Sequence, residues 1–207
     1  MKNILLILAL LNIPVVSVCA VEGKLSLAVT SNYVVRGITQ SNDKSAIQPA
    51  YQISQPDGLG FYAGIFASNV TKGSEVDIYG GLALGLGSDA AFILDIGAIE
   101  YLYTEPAFAP ASHETYLGLQ YDKSYIKYYF GEEKARYLDV GTGFTVSGDI
   151  DLLLHFGEVF ETNENGNDVS LTLQKDFEAI RLGLTATHED KTVEKESKMF
   201  AYISTGF

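Results

Sequence analysis

Apolar and polar residues alternate with a period of two through nearly all of the chain beyond residue 20, and nowhere is an apolar stripe sustained at helical spacing. A chain with that period makes strands. Segment 24–38 sets Leu25, Leu27, Val29, Tyr33 and Val35 against Ser26, Ala28, Thr30, Asn32 and Arg36, and segment 46–56 sets Ile47, Tyr51 and Ile53 against Gln48, Gln52 and Ser54. Segment 60–70 is apolar on both faces, so its direction stays open. The pattern returns in 75–87, 90–104, 113–121, 125–131, 135–147, 150–158, 168–176, 179–188 and 197–207, which makes twelve candidate strands.

The connections carry a second signal. Tight turns are expected at Asp57-Gly58, Gly87-Ser88-Asp89, Asp122-Lys123-Ser124, Gly148-Asp149 and around Phe177-Glu178. Longer polar connections are expected over Thr104 to Ser112, Val159 to Asn167 and Glu189 to Glu196, with short exceptions near 71–74 and 132–134. Turns and loops that alternate along an even number of strands predict an all-β fold, a transmembrane antiparallel up-and-down barrel of about twelve strands.

A soluble sandwich or lipocalin-like barrel alternates as well, but there the apolar face fills a compact core. Here the apolar face is nearly charge-free Leu, Ile, Val and Phe, while the other face carries Gly, Ala, Ser, Thr, Gln and mid-strand charges. That division suits lipid outside and water or hydrogen bonds inside. Tyr33, Phe92, Tyr121, Tyr128, Phe130 and Phe207 fall near strand ends on the apolar face, where interfacial girdles sit.

A net charge of −12 over 207 residues excludes nucleic acid as a partner, since that binding rests on clustered Lys and Arg. Residues 1–20 have the form of a secretory signal: Lys2, an unbroken apolar run from Ile4 to Leu11, and a small-residue cleavage site at Val18-Cys19-Ala20. Residues 21–207 are then the barrel domain, without a cysteine once the signal is removed; a lipid anchor on Cys19 is the rival reading.

Four stretches, SNYVVRG at 31–37, IQPAYQ at 47–52, GFYAGIFASNV at 60–70 and EVDIYGG at 75–81, carry a resemblance. Through them the mature chain resembles the TorF-type family of outer-membrane porins of Gram-negative bacteria. The match is densest over the first third and loose to the end, where Phe207 is like the terminal residue used for outer-membrane assembly. Two positions depart from the family: Phe66, where members often carry Trp, and Thr205, where a terminal strand usually has a larger apolar residue. The resemblance implies location in the bacterial outer membrane, lipid and the outer-membrane assembly machinery as partners, and passive diffusion of small solutes.

With both termini on the periplasmic side, Arg36, Glu75, Asp77, Glu114 and Asp139 are expected high in the lumen, with Asp95 also facing it. Lys127 and Arg181 are expected low, beside Asp151. Arg36 is expected to reach Glu75 or Asp77, and the remaining carboxylates to favour cations. A buried ion network closing the bore, or a barrel whose charged run 189–198 binds a partner, are the alternatives. An outer-membrane phospholipase is the enzymatic one, but His113, His155 and His188 have neither a serine at nucleophile spacing nor a metal pattern, so no catalysis, metal or cofactor is expected.

Overall fold

The structure, a computed structural model, describes residues 20–56, 59–105, 111–132, 135–160, 165–191 and 195–206. Its strands are β1 (Glu22–Thr30), β2 (Val34–Val35), β3 (Ile38–Thr39), β4 (Ala46–Ser54), β5 (Gly60–Asn69), β6 (Ser74–Leu86), β7 (Phe92–Tyr103), β8 (Ser112–Tyr121), β9 (Ser124–Phe130), β10 (Arg136–Ser147), β11 (Ile150–Phe160), β12 (Gly166–Phe177), β13 (Ile180–Lys191) and β14 (Lys195–Thr205). Twelve of them, β1 and β4 to β14, form a closed barrel in chain order, each antiparallel to its neighbours; β1 completes the ring by pairing with both β4 and β14. The remaining pair, β2 and β3, is a separate hairpin within the connection 31–45.

The barrel is inside out relative to a soluble protein. Leu25, Ile47, Ile78, Leu117, Val146 and Met199 stand exposed on its outer wall, whereas Thr30, Ser68, Glu75, Asp168 and Glu189 are buried. Closure pairs the strand backbones around the ring, which a hydrocarbon surrounding demands. An eleven-residue strand tilted by about 45° rises about 26 Å, the height of a membrane's apolar layer. No helix among the described residues is long and apolar enough to cross a membrane. Segment 60–70, open in the sequence, has a definite direction: Phe61 and Ile65 face out, and Tyr62 and Ser68 face in. Near one end of the barrel Phe92 and Tyr121 stack at 4.9 Å; near the other Tyr128 meets Phe130 at 5.0 Å.

Several sequence expectations are corrected. Segment 24–38 is not one strand: β1 stops at Thr30, and residues 31–45 turn into the lumen, carrying Tyr33 and Arg36 with them. Tyr33 is therefore not a girdle residue; its hydroxyl donates to Glu75 Oε1 at 2.8 Å. The expected loops 159–167 and 189–196 shrink to 161–165 and 192–194 because β11 to β14 continue past the end of the apolar alternation. Within the run 189–198, Glu189 and Lys198 are buried wall residues rather than parts of a free surface. The signal, Cys19, the turn at 57–58 and Phe207 lie outside the described residues.

Candidate functional site

The connection 31–45 is the longest in the barrel, and local chemistry explains its fold. Asn32, only 5% exposed, accepts a hydrogen bond from Thr39 Oγ1 at 2.6 Å and donates to Asp43 Oδ1 at 2.7 Å. Ser41 Oγ donates to the Lys44 carbonyl and accepts from the Tyr33 amide. Ser41 thus takes the Tyr33 amide, and Thr30 Oγ1 donates to the Asn32 carbonyl and accepts from its amide, so the backbone groups that a continuing strand would offer to neighbours are satisfied locally and the strand ends here. The Gln40 carbonyl accepts from both the amide and the hydroxyl of Thr71, which ties the neck of the loop to the connection 70–73.

Beyond the neck, β2 and β3 pair through Val34–Thr39 and Val35–Ile38, and Arg36 and Gly37 form the turn with φ of 50° and 78°. Two successive positive φ values mark the tight hairpin turn whose twist matches its strands. Gly37 is required by contact as well, since a Cβ there would lie 2.8 Å from the Cβ of Glu189.

The loop reaches across the bore, with its turn packed at Gly37 on Glu189 of β13 and the Arg36 side chain on the far wall. Twelve strands about 4.8 Å apart and tilted about 40° enclose a ring roughly 24 Å across between backbones. Six residues from Thr30 to Arg36 reach about 20 Å, and the arginine side chain closes the remaining distance. Arg36 rests against β8, β9 and β10, half-way round the barrel from its origin. Its Nη1 and Nη2 donate to Glu114 Oε1 and Oε2 at 2.9 and 2.7 Å, its guanidinium lies 4.2 Å from the Tyr137 ring centre and 5.2 Å from that of Tyr129, and the Tyr101 hydroxyl donates to Glu114 Oε2 at 2.9 Å. Burial works against the charge on Arg36, but the hydrogen bonds and charge of Glu114 outweigh it and hold the guanidinium more basic than usual.

The partner of Arg36 is thus Glu114, not Glu75 or Asp77. Glu75 is taken by Tyr33, and Asp77, the next inward position below it, keeps Oδ1 without a hydrogen-bond partner. Asp139 faces His155 Nε2 at 3.1 Å, and Asp168 faces His155 Nδ1 at 3.3 Å, so His155 stands in mid-strand between two carboxylates. The loop end of the lumen therefore gathers Glu75, Asp77, Glu114, Asp139, Asp168 and Glu189 around one inserted guanidinium.

Below that level Lys127 does not join Asp151 as expected. Its Nζ bonds Asp95 Oδ2 at 2.8 Å and lies 4.5 Å from the Tyr116 ring centre, because β9 is short and starts deeper in the wall. Asp95 also accepts from the Tyr62 hydroxyl at 2.5 Å. At the turn end Lys123 meets Asp151 at 2.7 Å, and Arg181 grips Asp176 at 2.6 and 2.9 Å. Between the loop and this lower tier lies a cavity of about 280 Å³ lined by Asp95, Gln120, Tyr125, Lys127, Tyr129 and Asp139. Among the described residues no group of three or more His, Cys, Asp or Glu side chains is arranged to hold a metal ion.

Sequence reasoning missed Asp168, Glu189 and, above all, the tyrosines. Of 13 tyrosines, all but Tyr51, Tyr121 and Tyr128 lie on the lumen side. Inward glycines make room for their rings: Tyr62 lies over Gly81, Tyr79 over Gly64, Tyr116 over Gly97 and Tyr202 over Gly183, each directly opposite in register. The glycines of the polar face are therefore beds for tyrosine rings as much as signs of a wet interior. The signal that could have found them was the equal spacing of Tyr and Gly on one face of adjacent strands.

A family described as a bacterial protein of unknown function, Gcw_chp, matches residues 19–204. Among solved structures, the KdgM porin is similar with a TM-score of 0.66 at 8% identity, covering 90% of this chain and 99% of that one. The NanC porin gives 0.62 at 11%, covering 88% and 98%, and the Acinetobacter baumannii outer membrane protein Omp33 gives 0.55 at 8%, covering 89% and 98%. The KdgM porin has also been seen in complex with disordered oligogalacturonate. At these identities the likeness is one of fold. No curated protein matches the sequence.

Proposed function

The chain belongs to the Gcw_chp family of bacterial proteins, and we propose that it serves as an outer-membrane porin-like channel for passive diffusion of small solutes, with a preference for cations. The observation that carries this reading is a closed barrel with an apolar outer wall, a polar charged interior and a loop laid across the bore at a ring of carboxylates. Porin folds in the similar structures support it, and the TorF-type resemblance of residues 31–37 and 75–81 is in keeping with it. Export by the signal in residues 1–20 of a Gram-negative chain, and assembly through a last strand ending in Phe207, belong to the same reading.

The charge of the wall supports the proposed cation preference. At the loop end six carboxylates outnumber the inserted Arg36, Lys191 and the buried Lys198, while the two lower ion-pair levels are balanced. Carboxylate rings raise the local concentration of cations and repel anions. A polyanion such as the oligogalacturonate seen with the KdgM porin does not suit that lining. The roles of Arg36, Glu75, Asp77, Asp95, Glu114, Lys127, Asp139 and Arg181 in selectivity are part of the proposal.

Planar-bilayer recording from folded, purified protein tests it. Discrete single-channel steps with a reversal potential on the cation side are expected, and the absence of steps from wild type and from Arg36→Ala sinks the channel reading. A second reading, a non-conducting barrel, is favoured by one observation, the loop spanning the bore; silence from wild type with conduction by Arg36→Ala separates a gated channel from it.

A further inference from the structure

The contacts around Arg36 describe a receptor as well as a clasp. A carboxylate fixed by a tyrosine hydroxyl, with two parallel acceptors at 2.9 and 2.7 Å and two aromatic faces at 4.2 and 5.2 Å, is the chemistry that recognises a planar cation. Its walls are strand residues of the bore itself: Tyr101, Glu114, Tyr129 and Tyr137. The occupant is not part of the wall. We propose that this cage is a binding site for the guanidinium group of permeating organic cations, and that Arg36 occupies it as a tethered stand-in which such solutes displace to open the bore. The proposal rests on the channel reading and names its solute class.

Three features make the occupant displaceable. Arg36 is a non-glycine residue held at a positive φ of 50° in the β2–β3 turn, a conformation that costs free energy and is relieved when that turn opens. Val35 and Ile38 on the same tip keep 36% and 37% of their surface exposed, so the apolar side chains of the tip are only partly covered by the wall. The polar anchors of the loop lie at its neck, in Asn32, Ser41, the Gln40–Thr71 bonds and Tyr33–Glu75, and beyond it the Arg36 clasp and the packing of Gly37 on Glu189 are the contacts that residues 34–38 must break to swing while the neck stays tied.

The surroundings favour the exchange. Asp139, Asp168, Asp77 and Glu189 encircle the cage, and the nearby cations are already engaged: His155 lies between Asp139 and Asp168, Lys191 bonds Glu189, and Lys198 bonds Glu196. A cation leaving the cage enters the cavity below, which shares Tyr129 and Asp139 with the upper level and offers Asp95 as the next carboxylate. The planar, two-point acceptor favours guanidinium over a primary ammonium, which is a point charge without the fork.

The probe is agmatine, with putrescine as the ammonium-only comparison, titrated calorimetrically into protein folded in detergent. Removing a tethered competitor strengthens binding by the factor by which the closed loop outweighs the released one, about thirtyfold or more for this clasp. Arg36→Ala should bind agmatine at least about thirtyfold more tightly than wild type, putrescine should bind the variant more weakly than agmatine, and Arg36→Ala with Glu114→Gln should lose at least tenfold. Equal affinity in wild type and Arg36→Ala, or no loss on adding Glu114→Gln, overturns the proposal. Wild type alone gives a second reading should the variants fail to fold: agmatine should accelerate hydrogen exchange at residues 34–38, and unchanged exchange overturns it. Bilayer recording in the same samples separates the two layers. Conduction with no competition between agmatine and the loop defeats the guanidinium site and leaves the channel, whereas binding without conduction in any variant defeats the channel and leaves the cage as a receptor.

Discussion

Replacing Glu114 by Gln tests what holds the loop across the bore. Glu114 is 9% exposed and takes both arms of the Arg36 fork. Glutamine keeps the size and one acceptor, but it turns the second arm into a donor facing a donor and leaves the guanidinium without a counter-charge. Breaking a fully buried pair costs about 3–5 kcal/mol and an exposed one under about 1 kcal/mol. With 27% of the Arg36 side chain and 11% of the Glu114 side chain exposed, the pair lies between these limits, at about 2 kcal/mol. That corresponds to about a thirtyfold shift toward the released loop. The rings of Tyr129 and Tyr137 remain and contribute about 0.5–2 kcal/mol, so the tip is loosened rather than expelled. Hydrogen exchange of the amides in β2 and β3 should accelerate about thirtyfold while those of β12 and β13 stay as they are. Unchanged protection in the hairpin refutes the clasp, and equal loosening of the wall refutes the separation of loop from barrel.

Other positions test the rest of the architecture. Gly81→Ala places a Cβ 2.5 Å from both the Ile96 carbonyl and the Tyr62 hydroxyl, so the barrel should lose about 1–3 kcal/mol in urea unfolding from lipid, and an unshifted midpoint would show that the ring does not need its bed. Leu171→Arg, at the middle of β12 on the exposed wall, should cost about 2–4 kcal/mol of folding into vesicles; equal folding yield would mean that this face does not meet lipid. Lys127→Met frees Asp95 from its cation and should move the reversal potential further to the cation side, with a shift toward anions counting against the electrostatic argument.

The barrel was legible because lipid imposes the same alternation on every strand, and Val76, Ile78, Leu82, Leu84 and Leu86 cannot face anything else without breaking the period. The inside was less legible because its order is set by partners distant in sequence. Arg36 and Glu114 lie 78 residues apart, and nothing in SNYVVRG names that partner. The same stretch misled for a local reason: Val34 and Val35 have strand propensity and do form a strand, but in a hairpin of their own after the side chains of Thr30 and Ser41 have taken the backbone groups of Asn32 and Tyr33. Lys127 stands at the level of Asp95 rather than Asp151 because β9 is short, running only from Ser124 to Phe130, and strand starts are not level around the barrel. The tyrosine lining was hidden by reading Gly and Tyr separately when register makes them pairs.

The location of each ion pair bears on how the bore can open. Lys127–Asp95 and Arg181–Asp176 join wall to wall, so breaking them softens the barrel without clearing it. Arg36–Glu114 joins the crossing loop to the wall, so breaking it changes the bore itself. Salt would not do this selectively. Screening acts first on exposed pairs such as Lys195–Asp190, whose lysine side chain is 68% exposed, and reaches the enclosed Arg36–Glu114 pair last. Raising ionic strength therefore weakens the rim while the clasp persists. Under the proposed exchange, what replaces Arg36 is a group that matches its charge and its planar two-point geometry at once, and on that proposal a cage that resists salt discriminates among cations by shape.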